Sequence, residues 1–288
     1  MKVLVIGASG FLGTALCDEL RRRGCEVVGT ARMRPDLARL DVGDPAAVTR
    51  VLESVDPDTV VNLAASGVTA ANAKVVDLER TNVVGARNVA VAVSQLARSP
   101  WYIHAASSTE VHHAPPGVAS ESAYSRTKRS GTAGAGSILR GAGVPHSIAR
   151  IHNTYGPGQP TGRLVRDAID TLGRHERVVL RHPDRVRDFC FVDDVVRHVA
   201  DIVERKHTAL SYEIGSGAGT TIREVVAAIA RAVGAPAHLV VPSGSHGDDP
   251  HGHCVADRDL PGFLLCQTSL ADGLKATVAQ APSPALSR

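Results

Sequence analysis

The chain has 288 residues, 43% of them hydrophobic and 21% charged, a composition that excludes a disordered polymer and leaves enough apolar material for a sizeable core. Lys and Arg number 32 against 29 Asp and Glu, so the balance of +3 gives no electrostatic case for nucleic acid. No apolar run approaches the roughly 18 residues of a membrane span.

Only five of the basic residues are Lys; the rest are Arg, the better fork for phosphate or carboxylate. Three Gly interrupt the apolar opening MKVLVIGASGFLG, and Asp18 and Glu19 follow where a cleavage site would need small residues, which argues against a signal peptide. Cys17, Cys25, Cys190, Cys254 and Cys266 form no CxxC pair. Reduced thiols in a cytoplasmic protein, without a metal site, are the expectation.

In chain order, residues 3–6 read as a strand, 11–23 as a helix, 26–29 as a strand, 44–54 as a helix and 59–63 as a buried strand. A long helical stretch over 74–97 precedes a strand at 101–104, a helix at 123–140 and a strand at 146–150. Strands alternating with helices of this length imply right-handed crossovers and a mainly parallel sheet. Central parallel strands are covered on both faces, which accounts for the continuous apolar run TVVNLAA. After Tyr155 the segment GPGQPTG reads as a loop, short irregular elements are expected, and 221–233 is the last clear helix. The expected fold class is α/β, a Rossmann-type doubly wound sheet with a smaller mixed C-terminal substrate domain. Residues 1–160, together with 187–215, would form the dinucleotide-binding domain, 161–186 and 216–275 the substrate domain, and 276–288 a flexible tail.

Gly7-Ala8-Ser9-Gly10-Phe11-Leu12-Gly13 lies between the first strand and the first helix. Glycines there permit a tight turn and a close backbone approach to a phosphate, and the helix N-terminus presents free N–H groups to it. Tyr124 and Lys128 stand at i and i+4 on a predicted helix, so their side chains share a face. A free phenol has a pKa near 10, and an adjacent ammonium lowers it toward neutrality, where it can exchange a proton with a hydroxyl or carbonyl oxygen. The second strand runs into Thr30-Ala31-Arg32-Met33-Arg34, and no acid appears before Asp36. NAD-binding folds of this type place an acid there for the ribose 2′-hydroxyl, whereas Arg32 or Arg34 would suit a 2′-phosphate. NADP(H) is therefore expected over NAD(H).

The spacing GxxGxxG resembles the short-chain dehydrogenase/reductase superfamily, and the later motifs resemble its extended branch, which acts mostly on nucleotide-sugars. Asp41-Val42 resembles the acidic-apolar pair near the adenine. Val60-Val61-Asn62-Leu63-Ala64-Ala65 resembles the strand passing beside the cofactor, with Asn62 where His is more usual, and Asn82-Val83-Val84-Gly85-Ala86-Arg87-Asn88 resembles the NxxGxxN helix. The resemblance implies cofactor contacts for Gly7, Ser9, Gly10, Phe11, Leu12, Gly13, Asp41, Val42, Leu63, Ala64, Ala65, Asn82, Tyr124 and Lys128. Ser107-Ser108-Thr109-Glu110-Val111 resembles the SSxxV(Y)G loop, which makes Ser108 the catalytic hydroxyl, with Thr109 its neighbour and Glu110 a second substrate-side group. His112-His113 replaces the family's Tyr-Gly; adjacent His make a poor metal pair and read as a solvent-facing loop.

Arg150–Gly158 resembles RxxNxYGPG, which implies that Asn153 touches substrate, and Arg187-Asp188-Phe189 resembles RDFxxVxD, whose Arg meets the substrate diphosphate. The Gly-Asp pair usually preceded by a second phosphate-binding Arg occurs here as Ser245-His246-Gly247-Asp248, without Arg. The function implied is NADPH-dependent reduction of the C4 ketone of a nucleotide-activated 4-keto-6-deoxy sugar. The alternative is an NAD-dependent nucleotide-sugar 4-epimerase; a 4,6-dehydratase, for which a general acid is missing, and a non-catalytic dinucleotide-binding regulator rank below both. The implied partner is a nucleotide-diphosphate sugar, with no nucleic acid and no membrane, and helices 74–97 and 123–140 are expected to pair into a homodimer interface.

Overall fold

The computed structural model describes residues 1–67, 74–111, 122–205, 210–243 and 253–281. His112, His113 and the segment Ser245-His246-Gly247-Asp248 lie outside the described residues, as does most of the expected tail. The strands are β1 (Lys2–Ile6), β2 (Glu26–Ala31), β3 (Ala38–Arg39), β4 (Thr59–Asn62), β5 (Trp101–Ser107), β6 (His146–Ile151), β7 (Asn153–Tyr155), β8 (Val178–Leu180), β9 (Val186–Phe191), β10 (Ser211–Gly215), β11 (Gly219–Thr221), β12 (Val240–Pro242) and β13 (Phe263–Leu265). The helices are α1 (Phe11–Arg22), α2 (Pro45–Val55), α3 (Val75–Leu78), α4 (Ala86–Ser94), α5 (Ala123–Gly141), α6 (Leu164–Gly173), α7 (Val192–Arg205), α8 (Ile222–Val233) and α9 (Leu270–Ala279).

The main sheet has eight strands in the order β13-β10-β6-β5-β4-β1-β2-β3, and the pairs from β6 through to β3 are parallel. Its order reverses between β2 and β4 on either side of β1, the switch point at which doubly wound sheets open a ligand crevice beyond the strand ends. β1 carries Val3, Leu4 and Val5 fully buried, because the strand is covered on both faces. Two helix starts illustrate local side-chain capping. Asp44 caps α2 through Ala46 and Ala47 N–H with Pro45 at the first position, and Thr221 with Glu224 forms a capping box on α8.

The chain divides into two compact units. Unit 1 comprises 1–110, 122–151 and 196–213; unit 2 comprises 111–121, 152–195 and 214–288. Unit 1 packs α2, α4 and α5 over one sheet face, around Val48, Leu52, Val89, Val93, Tyr102 and Leu139. Unit 2 holds a three-stranded sheet, β11-β9-β7, a parallel pair, β12-β8, and a core of Val165, Ile169, Leu172, Val225, Ile229 and Leu274.

Two expectations are corrected. The stretch 74–97 is not one α-helix: α3 and α4 are joined by a π-helical segment, Glu79–Gly85. Nor is the chain irregular after Tyr155: α6 and α7 are regular helices, and α9 follows α8. In α7 the buried Val195, Val196, Val199, Ala200, Ile202 and Val203 recur with helical period, and two Asp at the start favour the helix dipole.

Candidate active site

The Gly-rich turn forms a backbone cradle. Gly7 sits at φ +87°, and a Cβ there would lie 3.0 Å from the backbone of Leu63 and Ala64. A Cβ on Gly13 would lie 2.2 Å from the Gly7 carbonyl oxygen, so only glycine lets α1 start this close to β1. Above Gly10 the space is open: a Cβ there would meet only the Gly7 oxygen, at 3.3 Å. No side chain caps α1, and no acid occupies its first turn, so its N–H groups remain available to an anion.

A cavity of about 250 Å³ opens over this turn, lined by Gly7, Ser9, Gly10, Arg32, Asp41, Val42, Leu63, Ala64 and Ala65 among others. Phe11, Leu12 and Gly13 form the first turn of α1 instead. Asp41 accepts from Gly43 N–H at 2.9 Å and from Arg80 at 2.8 Å; burial raises its pKa, but these two donors hold it below the usual carboxylate value. Arg32 lines the cavity, whereas Arg34 turns to Asp36 through bonds of 2.8 and 2.7 Å, so the two sequence candidates separate. An open glycine cradle, an uncapped helix start and a flanking cavity fit a dinucleotide.

Asn82 is buried behind this cavity. Its Oδ1 accepts from Ser66 N–H at 2.8 Å, while Nδ2 donates to Ser66 O and to Thr127 Oγ1 on α5. Asn82 therefore ties the loop after β4 to α5 instead of lining the cavity. Asn88 donates to Val42 O at 2.9 Å, and Gly85 has no room for a Cβ against Val42. The NxxGxxN pattern thus holds cavity-lining segments in place. Gly131, which the sequence reading passed over, allows α5 to cross the π segment, since a Cβ there would lie 1.8 Å from Asn82 O.

Ser108, Tyr124 and Lys128 all belong to unit 1. Ser108 opens a 3₁₀ turn, Ser108–Glu110, directly after β5, and is buried. Glu110 is buried too, and its Oε1 accepts from Ser107 N–H at 2.8 Å. Thr109 Oγ1 bonds Ser107 Oγ at 2.9 Å. On α5, capped by Ser122, Tyr124 is half-buried and Lys128 is 5% exposed. Lys128 Nζ donates to Ala105 O at 2.7 Å. Burial pushes the Lys128 pKa below its ordinary value, against the attraction of the Glu110 carboxylate.

Behind Lys128 runs a buried polar chain that the sequence reading missed. Asn62 Nδ2 donates to Tyr102 Oη at 3.1 Å, and that hydroxyl lies 3.3 Å from His104 Nδ1. Burial, and secondarily the Lys128 charge, hold His104 far below the usual imidazole pKa, so it stays neutral. The available signal was the Tyr-x-His alternation, which puts two polar groups on one face of a buried strand.

In unit 2, Asn153 and Arg187 line a cavity of about 350 Å³ together with Gln159, Arg163, His182, Arg185 and apolar neighbours including Phe189. Among the described residues no carboxylate lines it. Asp188 points away: its carboxylate accepts from Ser216 N–H and Oγ, Gly217 N–H and Ala256 N–H. Arg163, Arg185 and Gln159 were not singled out from sequence, although Arg-x-Arg-x-Phe over 185–189 is a strand alternation with two guanidiniums on one face. Among the described residues no cluster of three or more His, Cys, Asp or Glu is placed to hold a metal ion, and no helix is long and apolar enough to cross a membrane.

Known proteins share both the sequence pattern and the fold. The chain is 26% identical to the dTDP-6-deoxy-L-talose 4-dehydrogenase (NAD(P)(+)) of Kitasatospora kifunensis over 86% of this chain and 84% of that protein. It is 28% identical to UDP-glucuronic acid decarboxylase 1 of Arabidopsis thaliana over 87% of this chain, which spans 62% of that longer relative. The UDP-glucose 4-epimerase of Thermotoga maritima, solved with UDP-glucose, superposes with a TM-score of 0.84 at 22% identity over 97% of this chain and 98% of that one, a likeness of fold. The model of the NAD dependent epimerase/dehydratase family matches residues 3–215, from β1 through to β10, and the chain belongs to that family.

Proposed function

We propose that the chain reduces the C4 ketone of a nucleotide-activated 4-keto-6-deoxy sugar with NADPH. The observation that carries this reading is the end of β2: Arg32 lines the dinucleotide cavity where NAD-dependent folds place a carboxylate, and the first acid after the strand, Asp36, pairs with Arg34. A guanidinium there pairs with a 2′-phosphate that a carboxylate would repel. The relative from Kitasatospora supports the reaction type, since a 4-dehydrogenase run in reverse is a 4-ketoreductase.

The dinucleotide, when bound, supplies the hydride. Gly7, Ser9, Gly10 and the α1 N-terminus would hold its pyrophosphate, and Asp41, Val42, Leu63, Ala64 and Ala65 would border it. Ser108 donates a hydrogen bond to the C4 oxygen, and Tyr124 delivers the proton to that oxygen as it gains charge. Lys128 keeps positive charge near the phenol, which makes the proton easier to release. Glu110 is occupied by Ser107 N–H and faces the Lys128 charge, which favours a supporting role over that of a dehydratase base. Asn153 contacts the substrate, and Arg187 takes its diphosphate. The protein is further proposed to be a cytoplasmic homodimer pairing through α4 and α5; a monomer by light scattering at micromolar concentration would remove that part.

The test is spectrophotometric. Purified protein with NADPH should lose absorbance at 340 nm only on addition of a 4-keto-6-deoxy sugar nucleotide. Protein that purifies with NAD bound and interconverts C4 epimers without added reductant would make it the epimerase instead.

A further inference from the structure

We propose that unit 1 holds one internal water molecule between β5 and α5, bound by His104 Nε2–H, Thr132 Oγ1 and Lys128 Nζ, and that His104 and Thr132 are thereby positioning residues for Lys128. The water site concerns the protein alone; its effect on turnover rests on the role proposed for Lys128.

The hydrogens of the buried chain behind Lys128 can be assigned end to end. Asn62 Oδ1 accepts from Ala64 N–H at 3.1 Å, so Nδ2 faces Tyr102 Oη, also 3.1 Å away. That phenol oxygen accepts from Asn62, and its own hydrogen goes to its other neighbour, His104 Nδ1, at 3.3 Å. A ring nitrogen that accepts carries no hydrogen, so the neutral imidazole bears its N–H on Nε2. His104 is 4% exposed, and among the described residues Nε2 has no polar partner. A buried N–H calls for an acceptor.

A second unpaired group lies on the facing helix. Thr132 is 8% exposed, and among the described residues its Oγ1 has no polar partner either. Thr132 stands one turn after Lys128, on the same side of α5. That side faces β5: Lys128 Nζ reaches Ala105 O at 2.7 Å, and further along α5 Ala135 and Leu139 share an apolar cluster with Tyr102. Because α5 connects the parallel strands β5 and β6, it runs back along them. Four helical residues descend about 6 Å. Each strand residue descends about 3.3 Å, and Tyr102 and His104 alternate onto one strand face. Thr132 therefore comes down beside His104, between the contacts at Ala105 and Tyr102. A water there accepts from His104 Nε2–H and from one N–H of the Lys128 ammonium, and donates to Thr132 Oγ1, the usual set of about three partners for an interior water. With Ala105 O and this water taking two of the ammonium's N–H groups, the third is left for the phenol side of the site.

The experiment has two arms, both on the full chain. In the first, nitrogen-15 NMR of His-labelled protein should show one imidazole, absent from His104→Phe, with hydrogen on Nε2 and none on Nδ1. A crystal structure should show an ordered water within hydrogen-bond reach of His104 Nε2 and Thr132 Oγ1. Hydrogen on Nδ1, or the two side chains bonded directly with no water, overturns the site. In the second arm, Thr132→Val removes the hydroxyl at nearly constant shape. Its kcat for ketone reduction should fall about three- to tenfold, the worth of one hydrogen bond, with KM for the nucleotide-sugar held within about twofold. Thr132→Ser should restore it. His104→Phe should lose a similar factor, and the double variant no more than the worse single one, because both lose the same water. If His104→Phe melts early, Thr132→Val and its Ser rescue decide. Additive losses, or kcat unchanged in Thr132→Val, overturn the positioning role. A wild-type protein that shows the water but reduces no 4-keto sugar nucleotide overturns the reductase reading and not the site.

Discussion

The two cavities offer an anion different things. In unit 1 the cradle is backbone: glycines and the uncapped start of α1, with Arg32 and the already engaged Asp41 at its edge. In unit 2 the wall is side chain: among the described residues, three Arg and a His, without an acid. A backbone cradle is fixed by chain geometry, so it fails abruptly when a Cβ intrudes, as at Gly13, but does not depend on charged side chains. A guanidinium wall is graded, because each fork can be removed without moving the chain. The polar groups around the end of β5 and the start of α5 differ again. Ser108, Glu110 and Lys128 are each no more than 5% exposed, and burial lowers the Lys128 pKa, whereas the unit 2 guanidiniums retain solvent contact.

The largest effect should come from separating chemistry from both cavities. Tyr124→Phe keeps the ring on α5 and removes only the exchangeable proton. Turnover should fall about 10²- to 10⁴-fold, the usual worth of general acid catalysis. Dinucleotide and nucleotide affinities measured by calorimetry should stay within about twofold. Near-normal turnover would remove Tyr124 from the reaction, and lost affinity would make it a binding residue.

The next largest effect distinguishes the two sides of β9. Asp188→Asn replaces one acceptor oxygen by an NH₂ group in a pocket that offers four N–H and O–H donors, at 2.9, 2.6, 2.8 and 3.2 Å, and the Cys190 thiol at 3.6 Å. Either amide orientation sets N–H against N–H or O–H, at a cost of about 2–4 kcal/mol. Denaturant unfolding should show that loss, with dinucleotide affinity preserved where the variant is folded. An unchanged midpoint would mean that the donors rearrange at little cost.

Much of unit 1 was legible because its signals are local. A glycine turn needs open φ angles at fixed spacing, and i, i+4 spacing alone places Tyr124 and Lys128 on one side of a helix. Apolar runs betray strands buried on both faces. The π segment was not legible: weak helix formers such as Thr81, Asn82, Val83 and Val84 do not themselves signal a widened turn, and the widening goes with the close crossing of Gly131 on α5, a contact distant in sequence. In unit 2 the strands β8, β11, β12 and β13 have three residues each, too few for a period to show. The helices α6 and α9 are short, and the apolar stripe of α7 was broken in the reading by the motif at its start. Among site residues, Arg32 and Arg34 looked equivalent in sequence; only the turn that brings Asp36 to Arg34 separates them. Arg185 was visible as an alternation but carried no motif.

Arg187→Ala is the complement of Asp188→Asn, one residue away on the opposite strand face. It should raise the apparent Michaelis constant for the nucleotide-sugar by about one to two decades, the worth of one charge-assisted bond of about 1.5–3 kcal/mol. The unfolding midpoint and the dinucleotide constant should hold. If the variant lost dinucleotide affinity instead, or only melted earlier, the functional division between the faces of β9 would collapse.

The smallest effect belongs to an ion-pair network that lines neither cavity. Arg23, at the end of α1, bonds Glu19 at 2.7 Å, and Asp201 and Glu204 on α7 at 2.7 and 3.0 Å; its side chain is 16% exposed. Partial burial keeps this above the near-zero worth of a surface pair, so Arg23→Ala should cost about 1–2 kcal/mol in denaturant unfolding. Neither nucleotide should bind differently. The cost also has a pH signature. Burial raises the Glu19 pKa, but Arg22 and Arg23 outweigh it and hold the carboxyl below its ordinary value of 4.5. A carboxyl with a lowered folded pKa binds fewer protons folded than unfolded, so its stabilisation is full above the ordinary value and disappears as pH falls through the lowered one. The gap between wild type and Arg23→Ala should therefore be constant from about pH 6 to 8 and narrow below about pH 4.5. A gap that persisted to pH 2 would assign the Arg23 contribution to packing of its aliphatic stem and its bond to Arg197 O, and not to charge.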